Sequence, residues 1–206
     1  MHAHDQKIYL ASKSPRRREL LRQIGVDFEL LLLRDQSGRV ADVTELVLPG
    51  EAAVDYVQRV TREKVDAAMQ IILTRHLPLR VVLSADTTVV LDQDILGKPT
   101  SQAEASAMLH RLSGRTHQVL TSVALRSADA TWQITQRSDV TFASLTAETI
   151  RAYCAGAEPY DKAGGYGIQG YAASFVTHMA GSYTGIMGLP LFETAQLLRQ
   201  AGLRVP

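Results

Sequence analysis

Three arginines in succession, Arg16, Arg17 and Arg18, follow Ser14 and Pro15 in the stretch YLASKSPRRRELLRQIG. Serine at an N-cap and proline at the first helical position predict a helix start, where roughly half a positive charge already disfavours cations. Two readings fit. Exposed arginines at a solvated helix end cost little. An anion bound at the helix start would meet free backbone N–H groups and bidentate guanidinium donors together. Successive helical residues point about 100° apart, so at most one or two of the three reach a common ligand. Arg16, nearest the strand end, is the one the spacing favours.

Asp86 is the second such residue, set in RVVLSADTTVVL. A carboxylate among valines and leucines is costly to bury unless cations, donors or a metal compensate. It is either the partner of a turn or helix N-terminus, or a rigidly held group that binds a divalent cation or takes a proton from water. Thr87 alternates to the other face or contributes at a bend; strand periodicity alone leaves both open. Lys64 in TREKV, Lys98 in ILGKP and Lys162 in DKAGG each read singly as surface lysines. Together with Arg16 they match the charge of a polyphosphate, which also takes Mg²⁺. KAGGYGIQG is rich in glycine, either for turns at positive φ or for close backbone approach to a ligand, with Gln169 able to donate and accept at a base edge. There is no P-loop and no G-x-G-x-x-G after a strand, and His110, His117 and His178 lack ligand spacing.

These residues need a scaffold. KIYLAS predicts a buried strand. The helix after Ser14 carries Leu20, Leu21 and Ile24 on one face and ends at Gly25. FELLLL predicts a second strand, and residues 34–50 a mobile flap. A helix from Glu51 to Leu73 follows, with Val54, Val57, Val60 and Val65 near helical spacing, then a hairpin turning at Asp92–Asp94. Thr100 or Ser101 caps the next helix, which Gly114 stops. Two β-rich segments, a short helix capped by Thr146, a glycine-rich loop with a hairpin, and a final helix complete the chain. Strands mixed with helices throughout predict an α/β fold with a mixed sheet, as one domain over residues 1–206 with residues 1–7 flexible.

Composition narrows the class. The 206 residues are 46% apolar, 6% aromatic and carry a formal net charge of +1, without the basic excess of a nucleic-acid or anionic-membrane binder. No apolar run approaches the roughly 20 residues of a membrane span, and the N-terminus lacks an apolar targeting segment, so a cytoplasmic protein is expected. Cys154 is the only cysteine, which excludes an internal disulfide and a cysteine-based zinc site; it reads as half-buried on a helix. His2 and His4 read as part of a frayed terminus.

Taken in order from Ile8 to Leu198, the segments LASKSPRRRELL, SADTTVVLDQDILGKP, LSGRTHQVLTSVAL, YDKAGGYGIQG and GSYTGIMGLPL resemble the Maf family of nucleoside triphosphate pyrophosphatases, once described as septum-formation inhibitors. SPRR, ADT and KAGGYGIQG look like the branch that hydrolyses dTTP and UTP. The resemblance implies cleavage of the α–β phosphoanhydride to the nucleoside monophosphate and diphosphate. It also implies an elongated, two-lobed fold similar to the inosine triphosphatase-like (Maf/HAM1-like) group, with a central cleft and often a homodimer. Carried onto this chain, Asp86 is the proton acceptor and a metal-associated carboxylate, with Mg²⁺ or Mn²⁺ as cofactor. Ser12, Arg16, Lys64 and Lys98 bind the triphosphate, and Arg16, Thr87 and Gln169 choose the base. Family members carry an acidic pair after the second strand; here Asp35 is followed by Gln36, so Asp35 joins Asp86 at the metal or is replaced by Asp42 or Glu45. The rival class is a non-catalytic nucleotide-binding regulator of cell division, which would have no need of Asp86.

Overall fold

The computed structural model describes residues 6–34 and 42–205. Strand β1 (Ile8–Leu10) leads through Ser12 into helix α1 (Pro15–Gln23), and β2 (Phe28–Leu30) returns beside β1 in parallel register. Only the first three residues of FELLLL pair as strand. Helix α2 (Ala53–Thr74) precedes the long strand β3 (Val82–Leu91), which hairpins into β4 (Asp94–Leu96). After α3 (Gln102–Leu112) come the antiparallel strands β5 (Thr116–Arg126) and β6 (Thr131–Phe142), then α4 (Ala147–Cys154). The glycine-rich loop holds three 3-10 turns (Glu158–Asp161, Ala163–Gly165, Tyr171–Phe175), and in place of the expected hairpin a single strand, β7 (Val176–Ala180), pairs with β6. Helices α5 (Tyr183–Met187) and α6 (Leu191–Gln200) follow.

Local chemistry explains the boundaries. Ser14 Oγ accepts from Arg17 N at 3.4 Å, and Ser101 Oγ from Glu104 N at 3.2 Å while Glu104 reaches back to Thr100 N at 2.7 Å, a reciprocal cap. Thr146 caps α4 in the same way, and Gly25 and Gly114 leave their helices at positive φ.

The strands form one mixed sheet in the order β2-β1-β3-β5-β6-β7, with β4 attached to β3. One edge of β3 is covered by β5 from Val82 to Val90. The other edge is shared: β1 pairs only at Val82 and Leu83, and β4 only at Val89–Leu91. Among the described residues Ser84–Thr88 therefore have no strand partner on that side, and the gap opens at the carboxyl end of β1, whose chain neighbours diverge to opposite sides. Open α/β sheets bind ligands at such a switch point.

Helix α2 covers one face of the sheet through Val57, Val60, Thr61, Val65, Ala68, Met69 and Ile72, each burial of a large aliphatic contributing roughly 1.5–3 kcal/mol. Val54, expected on that stripe, is 43% exposed; Ala53, one step round the helix, packs in its place against the cluster of Val57, Val60 and Val90. The other face carries two apolar clusters. One joins α1 and α6 to Leu83, Ala85 and Val123; the second joins α3 and α4 to Val89, Val119 and Phe142, and Val176 and Ile186 touch both. Cys154 lies fully inside the second cluster rather than half-buried. So does His117, whose Nε2 meets the Tyr166 hydroxyl at 2.8 Å and whose pKa burial pushes down to about 4. Among the described residues no helix is long and apolar enough to cross a membrane.

Gly164 sits at φ +72°, where an added Cβ would lie 2.9 Å from Val89 Cγ2, while Gly97 has open space. Gly164→Ala is expected to cost about 1–3 kcal/mol in urea unfolding, and Gly97→Ala close to nothing.

Candidate active site

A cleft of about 940 Å³ opens at the unpaired edge of β3. Ser12, Arg16, Lys64, Asp86, Thr87, Lys98 and Gln169 all line it, although they come from β1, α1, α2, β3, the β4 exit and the glycine-rich loop. Asp35 lies outside the described residues, as do His2 and His4.

Asp86 and Thr87 answer the question of strand periodicity. Their side chains leave opposite faces of β3, yet both reach the cleft because it wraps around the free edge. On the Asp86 side stands α2. Lys64 Nζ donates to Asp86 Oδ1 at 2.8 Å and meets Glu45 Oε1 at 2.6 Å; Lys98 Nζ lies 3.9 Å from the other oxygen of Glu45. Asp86 is 9% exposed, so its carboxylate is a held group with its compensating cation in place. Burial alone would lower the Lys64 ammonium, but Asp86 and Glu45 outweigh it and hold the pKa above its ordinary value. For Glu45, burial is likewise outweighed by Lys64, Lys98 and Arg17, which keep it below its ordinary carboxylate value.

On the Thr87 side stands α1, which brings a second arginine to the cleft beside Arg16. Arg17, not Arg16, reaches the floor. Its Nε donates to Gly188 O at 2.7 Å, Nη1 to Ser12 Oγ at 3.3 Å and Nη2 to Thr87 Oγ1 at 3.2 Å. Thr121 Oγ1 donates to Gly185 O at 2.8 Å, so the Thr87 hydroxyl, 2.9 Å away, gives its proton to Thr121 and keeps a lone pair for Arg17. Burial pushes the Arg17 guanidinium below its ordinary pKa, against the pull of Asp86. Three of its five N–H groups are engaged, which leaves two for an anion in the cleft. Arg16 lines the wall one helical step away, where Nη1 donates to Asp161 at 2.9 Å. Sequence spacing favoured Arg16 because it is nearest the strand. The signal for Arg17 was its N3 position, which turns it back over the cap toward Ser12.

The two alternative flap carboxylates separate cleanly. Asp42 accepts from Arg34 N at 2.7 Å and from Arg34 Nε and Nη2 at 2.9 and 2.7 Å, which occupies both oxygens away from Lys64. Glu45 is the one that faces the cations. Its segment is pinned to α2: Tyr56 OH donates to Glu45 O at 3.0 Å, Arg59 Nη2 to Leu46 O at 2.9 Å, and Arg59 Nε to Glu51 at 2.6 Å. That last bond to Arg59 holds the Glu51 carboxyl down at about 2.

Among the described residues no three His, Cys, Asp or Glu side chains cluster as a complete metal cage. Two carboxylates, Asp86 and Glu45, converge on one ammonium, Lys64, which marks the place where positive charge is wanted. Hard oxygen donors in that number suit Mg²⁺ or Mn²⁺, which take one or two carboxylates and fill the remaining positions with water and phosphate oxygens.

The glycines of the loop prove to serve internal packing. Gly164 and Gly165 adopt positive φ, and Gly167 and Gly170 make room for the side chains of Lys162 and Glu158. Gln169, between them, is exposed on the cleft.

A model of the family described as Maf-like protein matches residues 7–201. The dTTP/UTP pyrophosphatase of Dechloromonas aromatica is 51% identical, with 96% of this chain and 98% of that protein covered. Those of Aromatoleum aromaticum and Cupriavidus pinatubonensis are each 55% identical, covering 95% and 98% of this chain and 96% and 99% of theirs. Among solved structures, the Staphylococcus aureus Ham1 protein aligns with a TM-score of 0.45 and 16% identity over 66% of this chain and 72% of that one.

Proposed function

The chain belongs to the Maf-like protein family, and we propose that it hydrolyses dTTP and UTP at the α–β phosphoanhydride, releasing the nucleoside monophosphate and diphosphate from the cytoplasmic pool. The names of relatives about half identical over nearly the whole length support the branch. The observation that carries the chemistry is Asp86 itself: one rigid, nearly buried carboxylate at the free edge of β3, with Lys64 on one face and Arg17 on the other.

Ser12, Arg16, Arg17, Lys64 and Lys98 bind the triphosphate. Arg17 is preorganised by Ser12, Thr87 and Gly188, so its two remaining N–H groups meet the charge that builds in the transition state without reorganising. Asp86 orients the attacking water and takes its proton. Asp86 and Glu45 would hold a divalent cation, which would supply further neutralisation of the phosphate oxygens. Gln169 reads the base edge beside Arg16, and Thr87 acts on the choice through Arg17.

The test is a panel of dTTP, UTP, CTP, GTP, 7-methyl-GTP and ITP with Mg²⁺ or Mn²⁺, with both diphosphate and orthophosphate measured. Diphosphate from dTTP and UTP first is expected; tight dTTP binding without turnover would make the chain a sensor. In the same panel, Gln169→Glu should shift relative kcat/KM among the bases by about tenfold or more, since a base edge met by the wrong partner leaves polar groups unpaired. An equal change for every nucleotide would remove Gln169 from base selection.

A further inference from the structure

Gln169 stands on a turn that another residue builds. Gly170 N donates to Gly167 O at 3.0 Å, which closes the turn on itself. Beneath it lies the Glu158 carboxylate, whose Oε2 accepts from Tyr171 N at 2.9 Å and whose Oε1 accepts from the Tyr153 hydroxyl at 3.0 Å and from Ala172 N at 3.4 Å. A Cβ at Gly170 would clash with the Glu158 carboxylate, and one at Gly167 would lie 2.8 Å from Lys162 Cε, so both ends of the turn pack directly against these two side chains. Lys162 donates to Glu158 O at 2.7 Å and also to Asp161, the residue that accepts from Arg16. One polar chain, Glu158–Lys162–Asp161–Arg16, thus connects the two walls of the cleft that carry Gln169 and Arg16.

We propose that Glu158 is a positioning residue for base selection: its carboxylate sets the height and direction of the Gln169 turn and keeps that turn in register with Arg16. This rests on the reading of Gln169 and Arg16 as the residues that meet the nucleotide base. Three donors converge on Glu158, and a carboxylate, which only accepts, satisfies all of them. An amide of the same shape has one accepting oxygen, and its NH₂ would face a backbone N–H, so the turn must move.

The experiment compares wild type, Glu158→Gln and Tyr153→Phe by kcat/KM for dTTP, UTP, CTP and GTP, with diphosphate as the readout and thermal melting as the check on folding. For Glu158→Gln, dTTP and UTP should fall by about tenfold to a hundredfold while CTP and GTP change much less, so that selectivity collapses. Adding Gln169→Ala should then cost less than it does alone. Tyr153→Phe removes one donor and leaves the carboxylate, so it should compress selectivity in the same direction by a smaller factor. It carries the test if Glu158→Gln does not fold. A uniform fall for all four nucleotides, or unchanged ratios in the folded variants, would overturn the role of Glu158. Failure of the wild type to release diphosphate from any nucleotide would instead overturn the functional reading.

Discussion

Asp86→Asn should lower diphosphate release from dTTP by about a thousandfold or more while the protein still folds and still binds nucleotide. The carboxamide keeps the size of the side chain and removes its ability to accept a proton. Folding survives because Lys64 retains Glu45 as a partner, so no ammonium is left buried and alone. The measurement is single-turnover hydrolysis, with the melting temperature and dTTP affinity determined on the same sample. Near-normal turnover would remove Asp86 from the chemistry.

Arg17→Lys should cost about a hundredfold to a thousandfold in kcat/KM, although the charge is conserved. The guanidinium bonds Gly188 O, Ser12 and Thr87 through three separate nitrogens, and an ammonium has neither that reach nor that planarity. It would also leave Gly188 O and the Thr87 lone pair without their donor. Arg18→Lys is the control, because Arg18 does not line the cleft. Steady-state kinetics on both variants decides the point: near-normal kcat/KM in Arg17→Lys as well as in Arg18→Lys would mean that the arginine run acts only through its net charge.

How much of this was legible in the sequence depends on what each signal encodes. Helix starts were readable because Ser14, Ser101 and Thr146 cap through local hydrogen bonds within a few residues. The strand holding Asp86 was readable from its apolar flanks, and the site residues followed from ordered motifs that match a family. The free edge of β3 was not readable. It depends on β1 and β4, far apart in the chain, pairing with different ends of one strand, and local periodicity carries no information about that. The same gap explains why Thr87 and Asp86 both reach the cleft from opposite faces.

Arg17 illustrates a subtler limit. Spacing says that three consecutive arginines diverge, but which one turns inward is decided by Ser12, Thr87 and Gly188, partners from three other segments. The two readings of the glycine-rich loop stayed open in the sequence for a similar reason. Its glycines accommodate Glu158, Lys162 and Val89, side chains whose approach is tertiary. Asp42 and Glu45 were indistinguishable in the sequence because their partners are tertiary: Arg34 occupies Asp42, while Glu45 meets Lys64 and Lys98.

The central claim concerns which phosphoanhydride breaks, and the most direct measurement is the product set from dTTP cleaved in ¹⁸O-labelled water. The account predicts dTMP and diphosphate, with the label in one of the two products and no dTDP at any time point. Appearance of dTDP with labelled orthophosphate would contradict it and make the cleft that of a terminal phosphatase.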